Sequence, residues 1–129
     1  MSEATALHPV AGLWHAFDRR EWDAARPFLA PDFVADWPQT SERIAGPDAF
    51  LALNAAYPGE WRCRLLELVA LGERAAARVL VTDGSVRFHV MGLYKLEDGC
   101  IKEAVEVFGD EMEPPFDRSQ WASRYPRLG

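Results

Sequence analysis

Cysteine is scarce in this 129-residue chain: Cys63 and Cys100 are the two present, with no Cys-x-x-Cys pair and no Cys/His spacing of a zinc site. That excludes a disulfide framework, and both thiols read as small buried hydrophobes in a reducing compartment. Basic residues are outnumbered, 14 Lys and Arg against 20 Asp and Glu, for a formal net charge of −6, and they are scattered (Arg19 and Arg20, Arg62 and Arg64) with no basic run. Tracking phosphates or an anionic membrane normally takes a basic stripe, so neither nucleic acid nor membrane is expected as a partner. No stretch approaches the roughly 18 apolar residues of a membrane span. Met1 to Pro9 carries Glu3 and has neither a basic n-region nor a long apolar h-region, so the expected location is the cytoplasm.

What the chain does have is apolar and aromatic mass. Hydrophobic residues make up 49% and aromatic residues 12%, enough to drive one compact core and to set disorder aside. Five tryptophans suggest a large enclosed surface, because each combines a wide apolar body with one N–H that must find an acceptor. The length supports a single domain over residues 1–129, with 110–129 a tail rich in Pro and charge that carries Phe116, Trp121 and Tyr125 and covers a pocket, meets a partner or frays.

Periodicity orders the elements. From Leu7, the residues Val10, Ala11, Trp14 and Phe17 recur at three and four, the stripe of an amphipathic helix. Trp22, Ala25 and Leu29 repeat that spacing in a second helix limited or kinked by Pro27. Phe33 to Trp37 reads as a strand, Gln39 to Gly46 as a polar turn, and Gly46-Pro47-Asp48 as the opening of a third helix with Phe50, Leu53, Asn54 and Tyr57 on its inner face. Four strands follow, at 61–71, 74–82, 86–96 and 101–108, joined by links too short for anything but antiparallel neighbours. The plan is α+β, with helices packed on the concave face of a curved, mostly antiparallel sheet.

Several of these segments resemble a known family. Trp14-His15-Ala16-Phe17-Asp18, Glu21-Trp22-Asp23-Ala24, Pro31-Asp32-Phe33-Val34-Ala35-Asp36-Trp37-Pro38 and Gly46-Pro47-Asp48-Ala49-Phe50 are similar to the first half of a SnoaL-like, or nuclear transport factor 2-like, domain. Tyr94 to Glu103, with its Asp98-Gly99 hairpin, resembles the family's ending. The resemblance implies a cone-shaped fold with an internal pocket. The family includes ketosteroid isomerases, polyketide cyclases, epoxide hydrolases and non-catalytic domains, so function must come from the residues. By resemblance, Asp36 holds the position of the isomerases' proton-abstracting aspartate, and Glu106 that of an acidic residue in the cyclases. The isomerases' buried acid falls on Gly92 and their tyrosine near Leu13 and Trp14, so steroid isomerisation is not expected. Of the epoxide hydrolases' set, Asp36 and Asn54 can be placed and no inward arginine can.

Alternation along the third of these four strands separates Phe88, Val90, Gly92, Tyr94 and Leu96 from Arg87, His89, Met91, Leu93 and Lys95, and the first set is taken to line the pocket. On the last strand Ala104, Glu106 and Phe108 oppose Glu103, Val105 and Val107; the pattern leaves the inward set open, and the resemblance turns Glu106 inward. His8 and His15 have no serine or cysteine partner nearby and read as structural or solvated, and His89, in the set that points away from the pocket, reads as a residue of the outer sheet face. Trp14, Trp37, Phe50, Tyr57, Phe88, Tyr94 and Phe108 form the candidate ligand cage, or plain core. Two functions stay open: a domain binding a small molecule, and a cofactor-independent proton-transfer enzyme acting on a small carbonyl compound through Asp36 or Glu106. Neither metal nor organic cofactor is expected. A homodimer through the outer sheet face is, because that face would otherwise show an apolar patch to water.

Overall fold

A computed structural model of the chain describes residues 8–128, so Leu7 and the start of the sequence lie outside the described residues. Helix α1 spans Pro9–Asp18: Pro9 suits the first turn, and His8 caps it by accepting the Val10 N–H at Nδ1 (3.1 Å). Its buried stripe of Val10, Leu13, Trp14 and Phe17 matches the periodicity of the sequence. The second helix, α2, is a single turn, Trp22–Ala25. Pro27 then forces a 3₁₀ turn over Arg26–Phe28, and Gly12 of α1 lets the Phe28 ring pass where a Cβ would lie 2.4 Å from it.

Strand β1 runs from Leu29 to Trp37, four residues earlier than the expected start at Phe33. The segment expected as a polar turn contains strand β2, Glu42–Ala45, paired antiparallel to β1 at the sheet edge. Helix α3 is Pro47–Ala56, with Gly46 at φ 91° as its N-cap and Asp48 in its first turn bonded to Arg26. The remaining strands are β3 (Arg62–Leu71), β4 (Arg74–Thr82), β5 (Arg87–Glu97) and β6 (Cys100–Asp110), with β4 antiparallel to β3, β5 to β4 and β6 to β5.

The six strands lie in the order β2-β1-β6-β5-β4-β3, with β1 parallel to β6. Register shifts in three of the ladders, near Leu29/Val34, Leu65/Glu67 and Lys95/Leu96, bend the sheet, and it stays open rather than closing as a barrel. The helices fill its concave side. Asp18, at the end of α1, ties that helix to β3 by accepting from Arg62 Nε (2.9 Å) and the Cys63 N–H (2.9 Å). Among the described residues, no helix is long and apolar enough to cross a membrane.

Candidate functional site

Between the helices and the concave sheet face lies a cavity of about 400 Å³, within the size range of small-molecule pockets. Its wall is largely aromatic because inward positions of β1, β5 and β6 carry Trp37, Phe88 and Phe108. These rings meet edge to face: Trp37 with Phe108 at 5.1 Å, Phe108 with Phe88 at 6.0 Å, and Phe88 with Trp61 at 5.3 Å. On the helix side, Phe17 packs between Trp14 (5.8 Å) and Trp22 (5.4 Å). Arg20, Gln39, Thr40 and Asn54 add polar groups to the lining, and the Arg20 guanidinium sits 5.5 Å from the Trp22 ring centre.

Beneath the cavity a polar chain crosses the core. Trp14 Nε1 donates to Tyr94 Oη (3.1 Å), Tyr94 Oη donates to Glu106 Oε2 (2.8 Å), and Trp37 Nε1 donates to Glu106 Oε1 (3.2 Å). Glu106 is 2% exposed and has no cation beside it. Burial raises its pKa above the ordinary carboxylate value, and the bonds from Tyr94 and Trp37 offset part of that rise. Burial and the adjacent Glu106 likewise push the Tyr94 phenol well up, so it stays a neutral donor. Gly92 makes the arrangement fit: it faces Glu106 across the ladder, and a Cβ there would lie 2.4 Å from Tyr94 Oη.

Of the seven aromatic residues picked out by sequence, Trp14, Trp37, Tyr57, Phe88 and Phe108 line the cavity, with Tyr57 at its half-exposed mouth. Phe50 is instead in the solid core against Phe33 (4.9 Å) and Phe17 (5.8 Å), and Tyr94 lies under the floor. Val90 lines it as the strand alternation expected, and Phe17, Trp22, Trp61 and Val81 line it too, although the sequence pattern placed them only on helices or strands.

The two candidate carboxylates do not share the cavity. Phe33 and Ala35 on β1 are buried and Trp37 turns in with them, so period two sends Asp36 to the outer face. There it faces Arg43 of β2 and accepts from its Nε at 2.7 Å and Nη2 at 3.0 Å. That pairing lowers the Asp36 pKa, the opposite of what a shared buried pair would do.

The carboxylates that do reach the cavity lining are those of Glu42 and Asp110, both at exposed positions. Burial, then the nearby Asp18 charge, pushes the Cys63 thiol up to about 12, which leaves it without useful thiolate. His89 is on the outer face, bonded through Nε2 to Glu111 (2.8 Å), and His15 is exposed. Among the described residues, no group of three or more His, Cys, Asp or Glu side chains could hold a metal ion.

Solved structures share this architecture. A candidate ketosteroid isomerase from Kribbella flavida is 29% identical, with a TM-score of 0.85 over 96% of this chain and 92% of its own. A nuclear transport factor 2-like protein of unknown function from Burkholderia xenovorans is 22% identical, with a TM-score of 0.81 over 96% of this chain and 98% of its own. An LEH-like epoxide hydrolase from M. tuberculosis, 20% identical, superposes with a TM-score of 0.67 over 82% of this chain and 84% of its own. No curated protein matches the sequence significantly. The model of the SnoaL-like domain matches residues 10–104, from α1 into β6 and ending two residues short of Glu106, and the chain belongs to that family.

Proposed function

We propose that this domain binds a small, flat, mainly apolar molecule in the cone cavity, and that Glu106 holds the cavity floor in shape rather than reacting with the ligand. The observation that carries this reading is the saturation of the floor. Both Glu106 oxygens accept from protein donors, and the indole N–H groups of Trp14 and Trp37 are already engaged. A ligand at depth therefore meets ring faces, which bind flat apolar bodies well. Its polar end would stay at the mouth with Arg20, Gln39, Thr40 and Asn54. The two free thiols are consistent with a cytoplasmic setting, and the apolar outer sheet face favours a homodimer.

The test is binding of anilinonaphthalene sulfonate, whose emission rises in an apolar site. Saturable binding of one probe per chain is expected, weakened at least tenfold in a folded Phe88→Lys variant, because the ammonium would enter the ring wall. Equal binding by that variant would move the probe elsewhere and end this reading.

A second reading, a proton-transfer enzyme acting on a small carbonyl compound, is favoured by one observation: the raised pKa of Glu106 suits a general acid or base. It requires the ligand to displace the Trp37 or Tyr94 bond. Turnover lost in a folded Glu106→Gln variant, with binding retained, would establish it over the first.

A further inference from the structure

We infer that Arg20 is the anchor of a carboxylate at the mouth of the cone, so that the cavity takes flat apolar acids in preference to neutral or cationic molecules of the same shape. The inference rests on the cone-binding reading above and names the class of ligand that the cavity accepts.

Arg20 stands where a chain ordinarily places glycine. Helix α1 ends in a Schellman turn, in which the Glu21 N–H donates to the Ala16 carbonyl (2.9 Å) and the Arg20 N–H to the Phe17 carbonyl (3.0 Å). That turn holds Arg20 in the left-handed region, at φ 59°, where a Cβ crowds the backbone and glycine does not. Strain of this kind gathers at binding positions, where the side chain has a use that outweighs it. The use is not a local ion pair. The nearest acidic residue in sequence, Asp18, is taken by Arg62 and the Cys63 N–H, and among the described residues Arg20 has no carboxylate partner. Its guanidinium lies instead 5.5 Å from the Trp22 ring centre, a cation on an indole face.

The cavity supplies the rest of the argument. Among the described residues, Arg20 is the one Lys, Arg or His in a lining otherwise rich in aromatic rings, and it is half-buried there. Stacking on Trp22 restrains the side chain before a ligand arrives, and the planar fork of guanidinium donors matches the two oxygens of a carboxylate. Burial and then Asp18 raise the Cys63 thiol in the same wall, while Arg62 and Arg20 oppose that rise, so the Arg20 charge is felt inside the cavity. The acidic groups of the lining, Glu42 and Asp110, come from β2 and the end of β6. Both are exposed, and water and salt screen them more than the half-buried guanidinium. With a net charge of −6 the chain has no general attraction for anions, so a preference for a carboxylate must come from this one side chain.

Calorimetric titration at neutral pH with naphthoate, naphthylmethanol and naphthylmethylammonium tests this, since the three share one ring system and differ in charge. Wild type should bind the acid about tenfold more tightly than the alcohol, and added salt should weaken the acid alone. Arg20→Gly should melt at or above the wild-type temperature, because the turn favours glycine, and should bind acid and alcohol equally. Arg20→Lys, which keeps the charge and loses the fork, should retain part of the preference. Equal binding of acid and alcohol by wild type, or a preference that survives in Arg20→Gly, would overturn the anchor and leave the cone reading standing. Tightest binding of the ammonium would overturn it in favour of Glu42 and Asp110. Failure of wild type to bind any of the three would overturn the anchor and the cone reading together.

Discussion

Glu106 is the side chain on which the floor of the cone depends, and its surroundings set what its replacement should do. Its pKa is raised, so the folded protein holds a proton at pH values where the unfolded chain has released it. Stability from this group is therefore fullest below the unfolded value, falls as pH climbs from that value to the raised folded one, and levels off above it. Glu106→Gln removes this dependence, since Gln carries no ionisable group, and its oxygen can still accept from Trp37 or Tyr94. Its melting temperature should match or exceed wild type at neutral pH and fall below it in acid. Glu106→Ala leaves the Trp37 N–H and Tyr94 O–H without an acceptor and should cost about 3 kcal/mol in chemical denaturation. Gly92→Ala drives a methyl group into the buried Tyr94 ring and should cost a similar amount, about 3 kcal/mol. A neutral outcome would mean that the Tyr94–Glu106 bond is not what Gly92 protects.

At the scale of elements, the parts most legible in the sequence were those with the longest regular pattern. Strand β5 alternates over eleven residues with one wet face, and its Phe88-to-Leu96 set is the inward one. Strand β2 was not legible: it is four residues long, Ile44 is its one buried position, and Glu42 and Arg43 read as a turn. Asp36 was assigned to the pocket by resemblance, although Phe33, Ala35 and Trp37 already formed an apolar set of the opposite parity. The Glu106 network was half legible, since resemblance turned Glu106 inward but no spacing rule joins Trp14, Tyr94 and Trp37 around it. The elements also differ in how they are tied. Asp18 links α1 to β3, and its pKa is lowered because its bonds to Arg62 and the Cys63 N–H outweigh the opposing effect of burial. That stabilisation is present above the unfolded carboxylate value and is lost as pH falls through the lowered one. Asp18→Ala should cost about 2 kcal/mol by denaturant titration at neutral pH, with the difference shrinking in acid. Asp36→Asn, at the exposed β1–β2 pair, should leave both stability and probe binding unchanged.

The whole molecule divides into a cone with an apolar cavity and an outer sheet face followed by a C-terminal tail, and tryptophan marks the two regions separately. Trp14, Trp22, Trp37 and Trp61 line the cavity, while Trp121 is on the tail. Each indole N–H gives its own signal in a ¹H–¹⁵N spectrum, so one titration with the naphthalene probe reads both regions in the same sample. If the cone is the binding site, the four cavity signals shift in a saturable way with a common midpoint and Trp121 stays in place. Movement of Trp121 alone, with the four cavity signals unchanged, would contradict the account.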